Sequence, residues 1–420
     1  MKVLIKQARI ICPHSGHHGK VQDILIENGI IKSIGSSIEA GNAQIIEHQN
    51  LHASIGWMDV FADFADPGQE ARETIETGAA AAAAGGFTDI MLLPNTNPAV
   101  SGKGQVEYII KKAIGLPVNL HPIGSVTQNA EGNALSEMYD MAQSGAIAFG
   151  DGKNPLQSPG ILLKAMQYVM AIGKTIIQLP GDSSIAPHGL MNEGIVSTQL
   201  GLPGKPAIAE ELMIARDIEL LKYTGSRLHI TGVSTKKGME LIDKAKQEGM
   251  NISYSVTAYH AYFCDEDLKE YDTNLKVNPA LRTRQDMEAV RNAIVNGNAD
   301  CLASHHIPQH WDNKTCEFEY AKNGMLGLQT MFGVVNGFGA GIDLLIEKLS
   351  VAPRKIFGLA IPELKEGSAA CLTLFDPAAE YEFKKEMILS KSHNTAFIGK
   401  KMKGLVLGTI NNGIIALNPL

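Results

Sequence analysis

The sequence predicts an α/β protein, a (β/α)8 barrel with a small β-sandwich domain that both termini build. Three observations predict it. Short β-like runs with turns occupy both ends of the chain, apolar strands alternate with helix-length stretches between them, and 420 residues exceed the roughly 250 typical of a barrel alone. We place the β-sandwich domain at residues 1–53 and 355–420 and the barrel at residues 54–354.

The two ends of the chain carry hairpin signals. Residues 23–26 and 30–34 are apolar, largely β-branched runs that flank Asn28-Gly29, and Asn-Gly between such runs is the strongest short-range hairpin signal. Residues 370–375 and 404–410 resume this pattern near the carboxyl terminus, and a second hairpin is predicted at Asn412-Gly413. The similar ends predict one domain made from both.

Strand candidates follow one another through the middle of the chain, with helix-length sequence between them. They are residues 56–64, 89–93, 118–120, 146–149, 175–177, 228–230, 252–256 and 301–303. A helix is predicted at residues 71–84, where an alanine run favours helix, and Gly85-Gly86 supplies the turn into the second strand. Because barrel chemistry lies at the carboxyl ends of the strands, the residues that close each strand are the functional candidates.

Composition excludes several functional classes. The formal net charge of −7, without long clusters of Lys and Arg, argues against nucleic-acid and anionic-membrane surfaces. The amino terminus lacks a signal-peptide pattern, and no apolar stretch of about eighteen residues occurs, so we expect a cytoplasmic protein without a membrane span. Five scattered cysteines without a CxxC pair predict reduced thiols rather than a disulfide framework or a zinc ribbon.

Short motifs follow the predicted strands in a distinctive order. They are Asp66-Pro67-Gly68-Gln69-Glu70, Gly85-Gly86-Phe87-Thr88, Pro94-Asn95-Thr96-Asn97-Pro98, Asn192-Glu193-Gly194, Val233-Ser234-Thr235-Lys236, Val277-Asn278-Pro279-Ala280-Leu281-Arg282, Gly327-Leu328-Gln329-Thr330 and Ser392-His393-Asn394-Thr395. In this order, and with Gly56-Trp57-Met58-Asp59 at the first strand, the chain resembles the dihydroorotases over essentially its whole length.

The resemblance implies a barrel of the amidohydrolase type and a metal-dependent reaction. Dihydroorotases interconvert carbamoyl aspartate and the cyclic amide dihydroorotate in pyrimidine synthesis. An amide is a poor electrophile and water a poor nucleophile at neutral pH. The family therefore uses zinc, which polarises the carbonyl and lowers the pKa of bound water towards about 7. A carboxylate after the eighth strand moves the proton.

The positions where the family holds its metal carry other residues in this chain. They are Phe61, Asp63, Asp151, Leu179 and Gly232. Phenyl, isobutyl and hydrogen side chains offer no lone pair, so only the two aspartates could bind a cation. Ala65 stands where the family has an Arg for the substrate carboxylate, and His305 stands at the position of the catalytic Asp. We therefore expect neither a bound metal nor an intact catalytic group.

Other polar residues near the predicted mouth have two interpretations each. Asn95 and Asn278 match substrate-binding positions of the family, yet asparagine before proline also suits turns. The three histidines of the predicted eighth loop, His305, His306 and His310, also have two interpretations. One is a new metal cluster, and the other, which we favour, is a polar plug in the old cavity. His229 lies at an odd offset from Gly232, which favours a packed or barrel-exterior histidine over a ligand.

Three functional hypotheses follow. The favoured one is a catalytically silent dihydroorotase homologue, a homo-oligomer (dimer) that acts as a structural or regulatory partner of aspartate transcarbamoylase, as the resemblance implies. The second is an active cyclic amide hydrolase with a rebuilt zinc site drawn from Asp59, Asp63, Asp151, His305 and His306. The third is a small-molecule sensor that uses Asn95, Asn278 and Arg282 in the old cavity.

Overall fold

Residues 2–419 are described by the computed structural model, which contains eighteen strands within that range. The strands are β1 Lys2–Ile10, β2 Val21–Glu27, β3 Ile30–Gly35, β4 Gln44–Ile46, β5 His52–Ile55, β6 Trp57–Ala62, β7 Phe87–Leu92, β8 Asn119–Gly124, β9 Ala148–Phe149, β10 Thr175–Gln178, β11 Met191–Asn192, β12 Gly204–Lys205, β13 Leu228–Ile230, β14 Ile252–Val256, β15 Cys301–Leu302, β16 Leu372–Glu382, β17 Lys401–Asn411 and β18 Ile414–Leu417.

Twelve α-helices lie in the same range. They are α1 Ile75–Ala84, α2 Lys103–Lys112, α3 Met138–Gln143, α4 Pro159–Ala171, α5 Ile195–Leu200, α6 Ile208–Thr224, α7 Lys236–Gln247, α8 Ala258–Tyr262, α9 Arg284–Val295, α10 Met331–Val335, α11 Ile342–Ile346 and α12 Ala352–Phe357. The helix predicted at 71–84 begins later, because Thr74 caps it and its hydroxyl accepts from the Thr77 amide.

Eight parallel strands form the barrel, in the order β6, β7, β8, β9, β10, β13, β14 and β15. Each overlaps one predicted strand segment, so the (β/α)8 prediction is confirmed. The barrel closes where Ala62 pairs in parallel with His306, and the Asp63 amide donates to the His306 carbonyl at 2.9 Å. The first strand therefore meets the loop that follows the eighth.

The barrel strands have an apolar inner and an apolar outer face, as strands buried on both sides require. Alternate residues such as Met58, Val60 and Met91 form an interior cluster, whereas Trp57 and Ile90 pack outwards in the cluster that contains the helices. One end of the interior is covered by α12, whose Arg354 donates to the Gly56 carbonyl just before β6. The open mouth is consequently at the other end, where the strands finish.

The terminal strands join into one continuous sheet, in the order β18, β17, β16, β5, β1, β2 and β3, with β4 paired to β1. Both predicted hairpins form, β2–β3 around Asn28-Gly29 and β17–β18 around Asn412-Gly413. β5 joins the two ends, because it pairs with β1 on one side and β16 on the other. This sheet rests on the barrel through bonds such as Thr373 Oγ1 to the Gly86 carbonyl.

The structure contains five free cysteines. Within residues 2–419, no helix combines the length and apolar character that crossing a bilayer would require.

Candidate functional site at the barrel mouth

The sequence-predicted site residues lie together at the carboxyl ends of the barrel strands. Phe61 and Asp63 end or follow β6, Asp151 follows β9, Leu179 follows β10, and Gly232 follows β13. The four of these residues that have a side chain beyond hydrogen are almost inaccessible to solvent, since none is more than 3% exposed. The mouth is therefore filled by protein side chains at the level of these residues.

The centre of the mouth is occupied by two stacked rings. The imidazole of His305 lies over the phenyl ring of Phe61, with centroids 4.1 Å apart and planes inclined by 26°. His305 Nε2 is 2.8 Å from Thr231 Oγ1, whereas Nδ1 is buried without a hydrogen-bond partner within residues 2–419. Burial holds the pKa of His305 well below 6.5, so the ring is neutral. At a position that has a catalytic carboxylate in the resembling family, this chain has a packed ring.

Gly232 packs directly against the His305 ring. Its backbone φ is +68°, a conformation that suits glycine, and a Cβ added there would lie 2.3 Å from His305 Cε1. An imidazole at position 232 and the present position of His305 are therefore mutually exclusive. The glycine and the histidine form one packed unit, although 73 positions separate them along the chain.

Asp63 is neutralised by two cations. Its Oδ2 atom is 2.5 Å from Lys153 Nζ and 3.1 Å from an Arg72 guanidinium nitrogen, while Oδ1 accepts from the Ala65 amide at 2.9 Å. Burial alone would raise the pKa of Asp63, but the charges of Lys153 and Arg72 outweigh it and the net pKa is lowered. The carboxylate is charged, and its lone pairs are already directed at protein donors.

Asp151 faces the connection that follows β8. Its two carboxylate oxygens accept from the amide and the hydroxyl of Thr127, and burial raises its pKa. The lone pairs of this carboxyl group are therefore already directed at protein donors.

These residues do not fit zinc. A zinc site takes three or four nitrogen, sulfur or oxygen donors at about 2.0–2.3 Å, and Phe61, Leu179 and Gly232 supply none. The remaining two positions are carboxyl groups engaged by Lys153, Arg72 and Thr127. Within residues 2–419, no group of three or more His, Cys, Asp or Glu side chains is arranged to hold a metal ion.

The three clustered histidines of the eighth connection diverge. His305 enters the barrel centre, and His306 turns the other way, with Nε2 3.4 Å from Glu73 Oε2. His310 is at the surface and pairs with Asp312 at 3.2 Å. The three rings therefore form separate contacts rather than a cluster. His305 and His306 are buried, whereas His310, which we also placed in the polar plug, lies outside it.

Glu73 is a buried carboxylate that the sequence did not single out. It accepts from the hydroxyls of Thr77 and Ser390 and from the Lys391 amide, in addition to its contact with His306. Burial acts to raise its pKa, but the hydrogen bond and charge of His306 prevail and the net pKa is lowered. This carboxylate joins the first barrel connection to the carboxyl-terminal segment.

His229 lies inside the barrel, so the barrel-exterior interpretation is wrong and the packed one is right. Its Nε2 atom is 3.0 Å from Ser255 Oγ, which donates to Thr231 Oγ1 at 3.0 Å, and Thr231 in turn contacts His305. Burial lowers the pKa of His229 to about 3. The alternation along β13 explains this, since 229 and 231 share the inner face.

Asn95 bonds to the backbone of the fourth connection. Its Nδ2 donates to the Asp151 carbonyl at 3.0 Å, and its Oδ1 accepts from the Lys153 amide at 2.8 Å. A Cβ on Gly152 would lie 2.0 Å from that same Oδ1. Both polar ends of the Asn95 amide are thus committed to holding the segment that presents Lys153 to Asp63.

Asn278 is bonded by a half-buried lysine, Lys205. Lys205 Nζ donates to Asn278 Oδ1 at 2.9 Å, and burial together with the charge of Arg282 lowers the pKa of Lys205. Arg282 itself lies between Glu210, at 3.4 Å, and Ser234 Oγ, at 3.0 Å. Two of the side chains considered for a sensor therefore belong to an internal polar network.

Sequence reasoning missed several residues that shape this mouth. Lys153, Arg72 and Lys205 carry its positive charge. An isolated Lys or Arg in a loop gives no periodic or motif signal. Asp59, which the rebuilt-site alternative included, is bonded to Ser304 through both the amide, at 2.6 Å, and the hydroxyl, at 2.7 Å, as a charged residue inside an apolar strand requires.

Comparison with known proteins places these observations in context. A family profile described as "Dihydro-orotase-like" matches residues 54–238. A dihydroorotase from Geobacter metallireducens is 38% identical over 419 residues, which is 98% of this chain and 99% of that protein. A dihydroorotase from Acetivibrio thermocellus is also 38% identical, over 422 residues and 99% of both chains.

Solved structures agree in fold. L-hydantoinase (dihydropyrimidinase) from Arthrobacter aurescens superposes with a TM-score of 0.84 at 22% identity, covering 99% of this chain and 96% of that one. The dihydropyrimidinase from Brevibacillus agri gives 0.80 at 18% identity, covering 100% and 95%. These likenesses confirm the predicted (β/α)8 barrel with an additional sheet from the termini.

Proposed function

Since the chain belongs to the dihydroorotase family, we propose that it is a member without metal-dependent catalysis, which acts as a structural or regulatory subunit of an assembly with aspartate transcarbamoylase. Loss of catalysis is argued from the mouth of the barrel. The partner is argued from the family, because transcarbamoylase makes the carbamoyl aspartate that a dihydroorotase consumes. The two parts are separable by experiment.

The observation that carries the proposal is the packing of His305 against Phe61 and Gly232. The ring fills the space that a side chain at 232 would need, and it stacks on a residue that cannot donate a lone pair. These three changes support one another sterically, so the replacement of any one of them does not reopen a ligand site. A mouth repacked in this way favours a structural use of the barrel.

The charge of the mouth supports the same conclusion. Lys153 and Arg72 bring two positive charges to Asp63, which is the balance that a bound dication would otherwise supply. A metal cation at this carboxylate would be repelled by both side chains. Lys153 and Arg72 therefore neutralise Asp63 in place of a metal ion.

The mouth also lacks, among residues 2–419, a free side chain that could transfer a proton. Cyclic amide hydrolysis needs a positioned carboxylate, worth about 10² to 10⁴ in rate. Two buried carboxylates are already engaged: Asp59, in β6, is bonded to Ser304, and Glu73, in the first connection, is bonded to His306 and Ser390. His305 is neutral and bonded to Thr231. The residues of this mouth therefore hold one another and leave no side chain to activate water.

Metal analysis tests the catalytic part of the proposal. The chain and the Geobacter metallireducens relative are to be purified side by side without chelator, with zinc in the medium. We expect far less than one equivalent of transition metal in this chain and no hydrolysis of dihydroorotate or closure of carbamoyl aspartate. About one equivalent of zinc with measurable turnover would support the rebuilt-site alternative and overturn this part.

Sedimentation tests the partner. The chain, which we expect to be a homodimer alone, is to be mixed with aspartate transcarbamoylase from the same organism. A heavier species with a fixed ratio of the two chains is expected, and the Geobacter metallireducens relative serves as the control for specificity. Two independent boundaries at micromolar concentrations would remove the transcarbamoylase assignment while leaving the catalytic conclusion intact.

A further inference from the structure

A polar cleft lies beside the barrel mouth, outside the packed site. Its volume is about 370 Å³, and its walls come from the connections after β14 and β15 and from the segment before β17. Volumes of this order accommodate small organic ligands. We call it the basic cleft, and its principal side chains are Thr273, His310, Trp311, Lys314, Lys391 and His393.

The charge of the basic cleft is one-sided. Two lysines and two histidines line it and no acidic side chain does, although the protein as a whole has a formal net charge of −7. Asp312 pairs with His310 at the rim, but it is not among the lining residues. The unbalanced positive charge favours an anion.

Lys314 supplies a buried ammonium group to the wall of this cleft. It is only 9% exposed, and its ammonium donates to the carbonyls of Thr273, at 2.8 Å, and Lys276, at 3.4 Å, without a carboxylate partner among residues 2–419. An ammonium has three donors, so one is left for a ligand. Burial lowers the pKa of Lys314 to about 7, which an anion in the cleft would reverse.

Trp311 adds a flat surface to the same cleft. It is 67% exposed, which is unusual for so large an apolar side chain, and its ring is inclined by 44° to that of His310. An exposed aromatic ring beside positive charge is the arrangement on which a flat heterocycle stacks while its anionic group meets the cations. The other tryptophan, Trp57, is fully buried in the core.

We propose that the basic cleft binds a small anion that carries a flat ring, of the size of a nucleoside monophosphate, with the anionic group at Lys314 and Lys391 and the ring on Trp311. Such binding needs neither a metal nor an open barrel mouth. It therefore goes beyond the proposed function, and its failure would leave the metal and sedimentation results untouched.

The test is calorimetric titration of the full chain with adenosine monophosphate, with adenosine and inorganic phosphate as separate arms. Tryptophan fluorescence is followed in parallel, since Trp311 is accessible and Trp57 is not. We expect saturable binding of the nucleotide with quenching, and at least about tenfold weaker binding of adenosine and of phosphate alone, because each lacks one of the two contacts.

Variants localise the site. Lys391→Met and Lys314→Met are expected to weaken nucleotide binding at least about tenfold, consistent with the loss of one charge-assisted hydrogen bond. Trp311→Leu is expected to weaken it and abolish the quenching. Lys164→Met, at an exposed position of α4, is the matched control and should bind like the parent chain.

Lys391 and Trp311 are exposed, so their variants keep the test decisive even if Lys314→Met folds poorly. The absence of nucleotide binding at millimolar concentrations would overturn the proposal. Unchanged affinity in Lys391→Met and Trp311→Leu would overturn it as well. Phosphate that binds as tightly as the nucleotide would refute the role of the ring.

Discussion

His305 stacks on Phe61 with ring centroids 4.1 Å apart, in the centre of the barrel mouth. The contact joins the end of the first strand to the loop after the eighth, the same two segments that close the barrel through Ala62 and His306. The stack thus adds side-chain packing where the backbone ladder is shortest. The barrel gains cohesion there from two rings.

Because Gly232 packs closely against His305, we expect a single methyl group added at position 232 to lower the free energy of unfolding substantially. Gly232→Ala places a Cβ 2.3 Å from His305 Cε1 and forces alanine to adopt a φ of +68°. Overpacking typically costs about 1–3 kcal/mol and an unfavourable backbone conformation about 1–3 kcal/mol more. We expect a loss of about 2–6 kcal/mol in the free energy of unfolding, measured by urea denaturation.

Gly225→Ala is the matched control for this substitution. Gly225 has the same φ of +68°, but nothing lies within 4 Å of an added Cβ. It should therefore show the backbone cost alone, and the difference between the two variants measures the clash. Equal losses in the two variants would mean that His305 moves away freely.

Asp63→Asn tests the ion-pair balance of the mouth. The change deprives the buried Arg72 and the half-buried Lys153 of their carboxylate, and breaking a buried pair costs about 3–5 kcal/mol at pH 7. The folded pKa of Asp63 lies below its ordinary value of 3.8, so its contribution is present above about pH 4 and is lost as the pH falls below that. Urea denaturation at pH 7 and pH 3 should show the gap to the parent chain narrowing. The exposed Asp140→Asn should show no gap, and a gap for Asp63→Asn that does not change with pH would contradict the prediction.

His305→Phe tests the neutral imidazole. The folded pKa of His305 is well below 6.5, so the unfolded chain binds a proton there that the folded chain does not. The stability of the parent chain should therefore fall below pH 6.5 by about 1.4 kcal/mol per pH unit more than that of the variant. His229 and His260, with pKa values lowered to about 3 and about 4, contribute the same sign in both proteins and cancel in the difference. Parallel stability curves from pH 7.5 to 5.5 would show that His305 is not held neutral.

Asn95→Ala separates a structural from a substrate-binding role. The amide bonds the Asp151 carbonyl and the Lys153 amide, so its removal should cost about 1–3 kcal/mol in the absence of any ligand. Asn133→Ala, at an exposed position, should change stability by less than about 0.5 kcal/mol. The midpoint of thermal unfolding reports both. An Asn95 variant as stable as the parent chain would return this residue to the substrate-binding interpretation.

Local patterns accounted for the elements of the fold. The apolar segments of the middle each contain a barrel strand, because strands buried on both faces must be apolar along their length. Asn28-Gly29 and Asn412-Gly413 form turns because Asn and Gly tolerate the positive φ that a tight hairpin demands. The start of α1 was misplaced by a few residues, since the capping bond of Thr74 depends on a side-chain contact rather than on the alanine run.

Partners across the mouth could not be predicted in this way. Lys153 and Asp63 are 90 positions apart, and Lys205 and Asn278 are 73 apart. Whether an isolated lysine faces solvent or a buried carboxylate depends on where the barrel brings its loop. The direction of Asp151 was likewise undetermined, because a carboxylate at a strand end can point into the mouth or back to Thr127.

The sequence by itself determined the barrel, the terminal sheet, the family and the absence of donor atoms at Phe61, Leu179 and Gly232, because apolar periodicity and residue chemistry are local properties. Only the tertiary structure decided what occupies the mouth instead: His305 over Gly232, and Lys153 with Arg72 at Asp63. Steric exclusion and charge pairing act between side chains that are distant in the chain and near in space. They become readable only once the eight strands have brought those side chains together.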